Sequence, residues 1–128
     1  MIREQRMVTV AMRHLSGIGK GIQSLHAVVD FGQKFGETPE YRRWAKKDKT
    51  IFVLEAHTDE QLNEAYNELK KLKVPVEKFK EPDLGNVTTA IAFLIDEHVF
   101  DTKKFPNGVT PTDIAIRTIK NRFPLATN

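Results

Sequence analysis

The 128-residue sequence predicts a single α/β domain built on a small four-stranded mixed sheet flanked by helices, with an extra helix near its C-terminus. Three observations predict it. The length suits one domain, able to bury about two-thirds of its unfolded surface without staples. Short apolar runs rich in β-branched residues alternate with segments of helical period, which favours parallel pairing through crossovers. The last two strand-like runs have only a turn between them, which calls for at least one antiparallel pair.

The elements follow in order. Residues 7–12 (MVTVAM) read as a short, largely buried strand. Residues 19–35 carry a helical apolar stripe of Ile18, Ile22, Leu25 and Val29, widened by Val28, Phe31 and Phe35, and Gly36 suits the cap at its end. Thr38, Pro39 and Glu40 open a second, short helix on which Tyr41 and Trp44 share a face, ending at Asp48 and Lys49. Residues 50–56 (TIFVLEA) form the second strand. Thr58 and Gln61 are spaced as a capping box for a helix that turns Leu62, Ala65, Tyr66, Leu69 and Leu72 inward. A short third strand ends near Phe79, a loop spans 80–86, and residues 87–95 (VTTAIAFLI), the most apolar run, belong at the sheet centre. Thr110, Pro111 and Asp113 start a final helix that buries Ile114, Ile116, Ile119 and Phe123. Residues 1–96 therefore read as the α/β domain, and 97–128 as an extension with one helix packed on it.

Composition removes several function classes. With no cysteine, disulfides, thiolate metal sites and a cysteine nucleophile are excluded. No apolar run is long enough to span a bilayer, and no signal-peptide pattern opens the chain, so a cytoplasmic protein without a membrane partner is expected. The net charge of +3 is mild, but its distribution is not even. Arg42, Arg43, Lys46, Lys47 and Lys49 form one group; Lys70, Lys71, Lys73, Lys78 and Lys80 form another. Either is an ordinary solvated helix end taken alone; together they suit a polyanion such as RNA.

Gly17, Gly19, Lys20 and Gly21 lie where a strand turns into a helix, a context in which free N–H groups face outward and an anion is welcome. The spacing is neither GxxxxGK[ST] nor GxGxxG, which argues against a nucleotide-triphosphate site. None of the four histidines is paired at i, i+4, and no carboxylates are spaced around them as ligands, which argues against a zinc or di-iron site. Glu81, Pro82, Asp83, Gly85 and Asn86 form an acidic turn beside the apolar strand that starts with Thr88 and Thr89. Those residue types make a surface turn, yet the same carboxylates could hold a general base.

Three segments in this order carry a resemblance: the glycine- and lysine-containing helix start running into Gln23, His26 and Ala27; the strand TIFVLEA followed by a capped helix; and FKEPDLGNVTTAIAF. They resemble the archaeal and eukaryotic (type-two) peptidyl-tRNA hydrolases, most closely the divergent bacterial and phage-encoded relatives, over about residues 7–95. The resemblance implies a type-two-like fold and hydrolysis of the ester joining a peptide to tRNA, without metal or cofactor. It implies catalytic roles for Lys20, Asp83, Thr88 and His26, with Glu81 and Thr89 as competitors for the acidic and hydroxyl positions. Gly19, Gln23, Glu81, Arg42, Arg43 and Lys46 would bind substrate. The implied partner is peptidyl-tRNA in the cytoplasm, the host's if the protein is phage-encoded, and some family members pair as homodimers.

Two departures motivate a second expectation. Lys20 stands one residue nearer to Gln23 than the family's lysine, and the acidic loop is shorter, without an Asp-Ala-Gly-Arg-Thr run. The alternative is a catalytically inactive relative that binds RNA or protein. A different hydrolase or transferase on the same scaffold is a third reading.

Overall fold

The computed structural model describes residues 2–128. In chain order it contains β1 (Gln5–Met12), α1 (Gly17–Phe35), α2 (Pro39–Arg43), β2 (Ile51–Ala56), α3 (Asp59–Lys71), β3 (Val76–Glu81), β4 (Val87–Asp96), α4 (Glu97–Phe100) and α5 (Pro111–Asn121). The four strands make one mixed sheet in the order β2-β1-β4-β3. β1 pairs parallel with β2, and β4 pairs antiparallel with both β1 and β3. The mixed α/β sheet, its antiparallel pair and the central place of β4 agree with the sequence expectation.

Local chemistry explains the boundaries. Ser16 caps α1 by accepting from the Gly19 N–H at 2.9 Å, and Thr38 caps α2 ahead of Pro39. After α2 the chain widens into one π-type turn, Trp44–Asp48, and Lys49 closes it with φ +59. Thr110 and Asp113 form a reciprocal capping box on α5. At α3 the box is displaced by one residue: Thr58 accepts from Gln61 N–H, but the Gln61 amide oxygen accepts from the N–H of His57. The extension holds a one-turn α4 as well as α5. Arg117 ties the two together, donating to the carbonyls of His98, Val99, Phe105 and Pro106 at 2.8–2.9 Å.

The sheet is covered on both faces. One face packs β1, β2 and β4 residues such as Val8, Val10, Leu54, Ile91 and Phe93 against α3, α4, α5 and Phe123. The other packs Met7, Ala11, Ala90 and Ala92 against Ala27, Val28 and Phe31 of α1 and against Trp44.

The orientation of α1 departs from the sequence expectation. Ile18, Ile22, Leu25 and Val29, the stripe that reads as core-facing, are 79%, 48%, 61% and 52% exposed. The buried face is Lys20, Gln23, Ser24, Ala27, Val28 and Phe31. The sheet surface beneath is largely alanine, so the helix lies close to it. That leaves room for short side chains over the middle and for polar ones that find partners at the end.

Candidate functional site

β1, β2 and β3 end at the same edge of the sheet, and β4 begins there. This edge gathers the β1–α1 turn, the β2–α3 turn, the acidic β3–β4 turn and residues 124–128. Two polar clusters form under the first turns of α1, at Lys20 and Gln23, which are one turn apart on its buried face.

The first cluster centres on Lys20. Its side chain is 3% exposed, and Nζ lies 3.1 Å from Glu55 Oε1 and donates to the Thr127 carbonyl at 2.5 Å. Glu55, 5% exposed at its side chain, also accepts from the Thr127 N–H at 2.8 Å and its hydroxyl at 3.3 Å. Arg13 approaches the other carboxylate oxygen at 3.3 Å. The Thr127 amide, and then Lys20, hold the Glu55 carboxyl below its usual range although burial opposes this. Two opposite charges, each with a further hydrogen bond to Thr127, can share so dry a place. Glu55 has no place among the sequence-predicted site residues. Its signal was a lone carboxylate inside the apolar strand Ile51–Ala56.

The second cluster is a hydrogen-bond chain. The Thr89 hydroxyl donates to Gln23 Oε1 at 2.6 Å, and Gln23 Nε2 donates to Glu81 Oε2 at 3.1 Å. The Asp83 N–H donates to Glu81 Oε1 at 3.3 Å. Glu81 is thus half-buried with both oxygens engaged, whereas Asp83 is exposed. The Ser24 hydroxyl, also buried on this face of α1, has no hydrogen-bond partner among the described residues.

A β-bulge decides which threonine joins the chain. Phe79 pairs with Ala90 but Lys80 pairs with Thr88, which leaves Thr89 as an extra residue. Thr89 and Ala90 therefore both face α1, and the alternation resumes with Thr88 on the opposite face. There the Thr88 hydroxyl donates to Asn63 of α3 at 3.0 Å. Thr88 and the Lys20 cluster consequently lie on opposite sides of the sheet.

The other expected residues are dispersed. His26 is exposed and stacks on Phe79 with ring centroids 4.4 Å apart. Gly19 packs closely, since a Cβ there would stand 3.1 Å from Ser16 Oγ. Arg43 is bound to Asp48 and to the Ile2 carbonyl, and Arg42 pairs with Glu37. Asp48 in turn accepts from the N–H of Gln5, where β1 starts. Arg42, Arg43 and Lys46 thus lie at the far edge of the sheet, roughly 25 Å along β1 from Lys20. Of the second basic group, Lys70 and Lys73 lie with Lys34 beside the start of β3, at that same far end, whereas Lys78 and Lys80 lie closer. Lys78 and Lys80 line a polar groove of about 490 Å³ with Asp59, Asn63, Asn67, Asn86 and Thr88, beside the β3–β4 turn.

Asp96, His98 and Asp113 also come together, with one polar atom of each within 4.8 Å of the others. Asp96 is committed to Arg3 and the His98 N–H, and Asp113 to the Val109 and Thr110 N–H groups. These commitments account for the cluster as a structural one.

No family model matches the chain, and no curated protein matches it by sequence. Among solved structures it is similar to a protein of unknown function, Atu0240, from Agrobacterium tumefaciens strain C58. The TM-score is 0.60 at 12% identity, over 98% of this chain and 100% of that one. That likeness shows a shared fold. No helix among the described residues is long and apolar enough to cross a membrane.

Proposed function

We propose that the protein hydrolyses the ester of a peptidyl-tRNA, using the edge of the sheet at which α1 begins. The observation that carries this reading is the Thr89–Gln23–Glu81 hydrogen-bond chain, set one helical turn from Lys20. Gln23 fixes the orientation of the Glu81 carboxylate, and an oriented carboxylate can take a proton from water. The water oxygen attacks the ester carbonyl, and the Lys20 ammonium stabilises the oxyanion. The C–O bond to the ribose then breaks, and the proton held by Glu81 passes to the departing ribose oxygen. In this mechanism Glu81 takes the role that the resemblance gave first to Asp83, and Thr89 the place of Thr88. Lys78, Lys80 and the asparagines of the neighbouring groove offer the phosphate contacts, which weaken steeply with salt.

The test is cleavage of N-acetyl-aminoacyl-tRNA. Glu81→Gln should lower turnover by a factor of about 10² or more, and Lys20→Ala should do the same, while Asp83→Ala changes it little. Loss with Asp83→Ala and not with Glu81→Gln would transfer the base to Asp83. A second reading, a binding module without turnover, is supported by one specific observation: residues 124–128 cover Lys20. Salt-sensitive tRNA binding without cleavage, abolished by Lys78→Glu and Lys80→Glu, would select it.

A further inference from the structure

We infer that the open edge of β2, together with Lys20 and Glu55, is a docking groove for an extended peptide of unrestricted sequence, filled here by the protein's own residues 124–128. The inference rests on the hydrolase reading only for the identity of the competing substrate, the peptide moiety of a peptidyl ester. The groove itself rests on geometry.

The contacts are those of an added strand. Glu55 N–H donates to the Pro124 carbonyl and Ala126 N–H donates to the Val53 carbonyl, both at 2.9 Å. Leu54 and Leu125 form an antiparallel bridge between them. Next along the segment, the Thr127 N–H reaches Glu55 and its carbonyl receives Lys20 Nζ. Asn128 then lies over the start of α1, where a Cβ on Gly17 would stand 2.7 Å from the Asn128 side chain.

The side chains contribute little. Pro124, Leu125, Thr127 and Asn128 are exposed, Leu125 by 67%. Apart from one hydroxyl contact of Thr127, every hydrogen bond named above is made by the segment's main chain. Main-chain pairing along a sheet edge is one mode by which proteins hold extended peptides, with side-chain pockets adding the specificity. A groove without such pockets accepts any sequence, as an enzyme acting on peptides of arbitrary sequence requires. The placement of one carbonyl is also informative. The group held by Lys20 is a peptide C=O, and an ester carbonyl docked in its place would meet the same ammonium.

The test uses a variant lacking residues 124–128 and two fluorescent pentapeptides, one of sequence Pro-Leu-Ala-Thr-Asn and one of unrelated small polar residues, both blocked at each end. The trimmed protein should bind both within about fivefold of each other and at least tenfold more tightly than the full chain does. Lys20→Met in the trimmed background should weaken both at least tenfold. Should the trimmed protein not fold, Ala126→Pro in the full-length chain removes the N–H that Val53 accepts and sets a ring in its place, and it should also open the groove. Equal binding to trimmed and full chains, or none to a folded, trimmed or Ala126→Pro protein, would overturn the inference. Cleavage of N-acetyl-aminoacyl-tRNA separates the two claims. Peptide binding without turnover in any variant sinks the hydrolase reading and keeps the groove. Turnover unchanged by trimming, with no peptide binding, does the reverse.

Discussion

Replacing Lys20 or Glu55 singly should cost far more than replacing both. The two side chains are 3% and 5% exposed and 3.1 Å apart. Removing one member of a buried pair leaves an uncompensated charge and typically costs about 3–5 kcal/mol, while an apolar replacement of both is often neutral. The partners differ in what remains to them. After Lys20→Met, Glu55 keeps the Thr127 N–H, the Thr127 hydroxyl and Arg13, so the expected loss falls to roughly 2–3 kcal/mol. After Glu55→Leu, Lys20 keeps one neutral carbonyl, and the loss should reach the full ~3–5 kcal/mol. The double variant should be more stable than Glu55→Leu alone, which gives an interaction energy of at least ~2 kcal/mol. Urea unfolding monitored by the single tryptophan, Trp44, 7% exposed, reports each value. Single effects that add to within ~0.5 kcal/mol would refute the reasoning, because uncoupled groups do not depend on each other's charge.

Four further outcomes follow from the same geometry. Leu25→Gln and Ile22→Gln should change stability by no more than ~0.5 kcal/mol, because that face of α1 is exposed, whereas Phe31→Ala should cost ~3–5 kcal/mol; thermal melts decide, and equal losses would turn α1 over. Ser24→Ala should be neutral or gain up to ~1 kcal/mol in denaturant unfolding, since it removes a buried hydroxyl without a partner and places a better helix former in α1; a clear loss would reveal a bond to that hydroxyl. The Glu55 carboxyl is held below its ordinary value of 4.5 by the Thr127 amide and by Lys20, so its stabilisation is complete above pH 4.5 and is lost as pH falls below it, through the depressed folded-state value; the amide of Thr127 should lose hydrogen-exchange protection in that window before global unfolding, and protection down to the unfolding pH would refute the link. Arg117→Ala strips four carbonyls of their shared donor and should loosen the α4–α5 connection at a cost of ~2–3 kcal/mol, seen as faster proteolysis within residues 101–110.

Much of the fold was legible because it depends on neighbours in sequence. Thr38 before Pro39, and Thr110 before Pro111 with Asp113, announce helix starts through bonds made within one turn. The run Ala90–Ile95 of β4, apolar throughout, announces burial on both faces. Periodicity also told that α1 is a helix, but not which way it faces. Its sequence carries two apolar arcs, Ile18 to Val29 and Ala27 to Phe31. The choice between them fell to Ala11, Ala90 and Ala92, whose small side chains let the helix lie close to the sheet. The candidate site was legible in part for the same reason. Lys20, Gln23 and Glu81 stand in a recognisable order, yet their partners lie far off in sequence. Glu55 and Thr127 are 35 and 107 residues from Lys20, and Glu81 and Thr89 are 58 and 66 residues from Gln23. A one-residue bulge then exchanged the roles of two adjacent threonines. The sequence by itself determined the four strands, the long helices, the caps at Thr38 and Thr110 and the mixed α/β class, because those follow from bonds within a turn and from apolar period. Only the tertiary structure decided which face of α1 is buried, which threonine meets Gln23, and that residues 124–128 lie across Lys20, because each depends on which distant groups a buried polar atom finds within hydrogen-bonding reach.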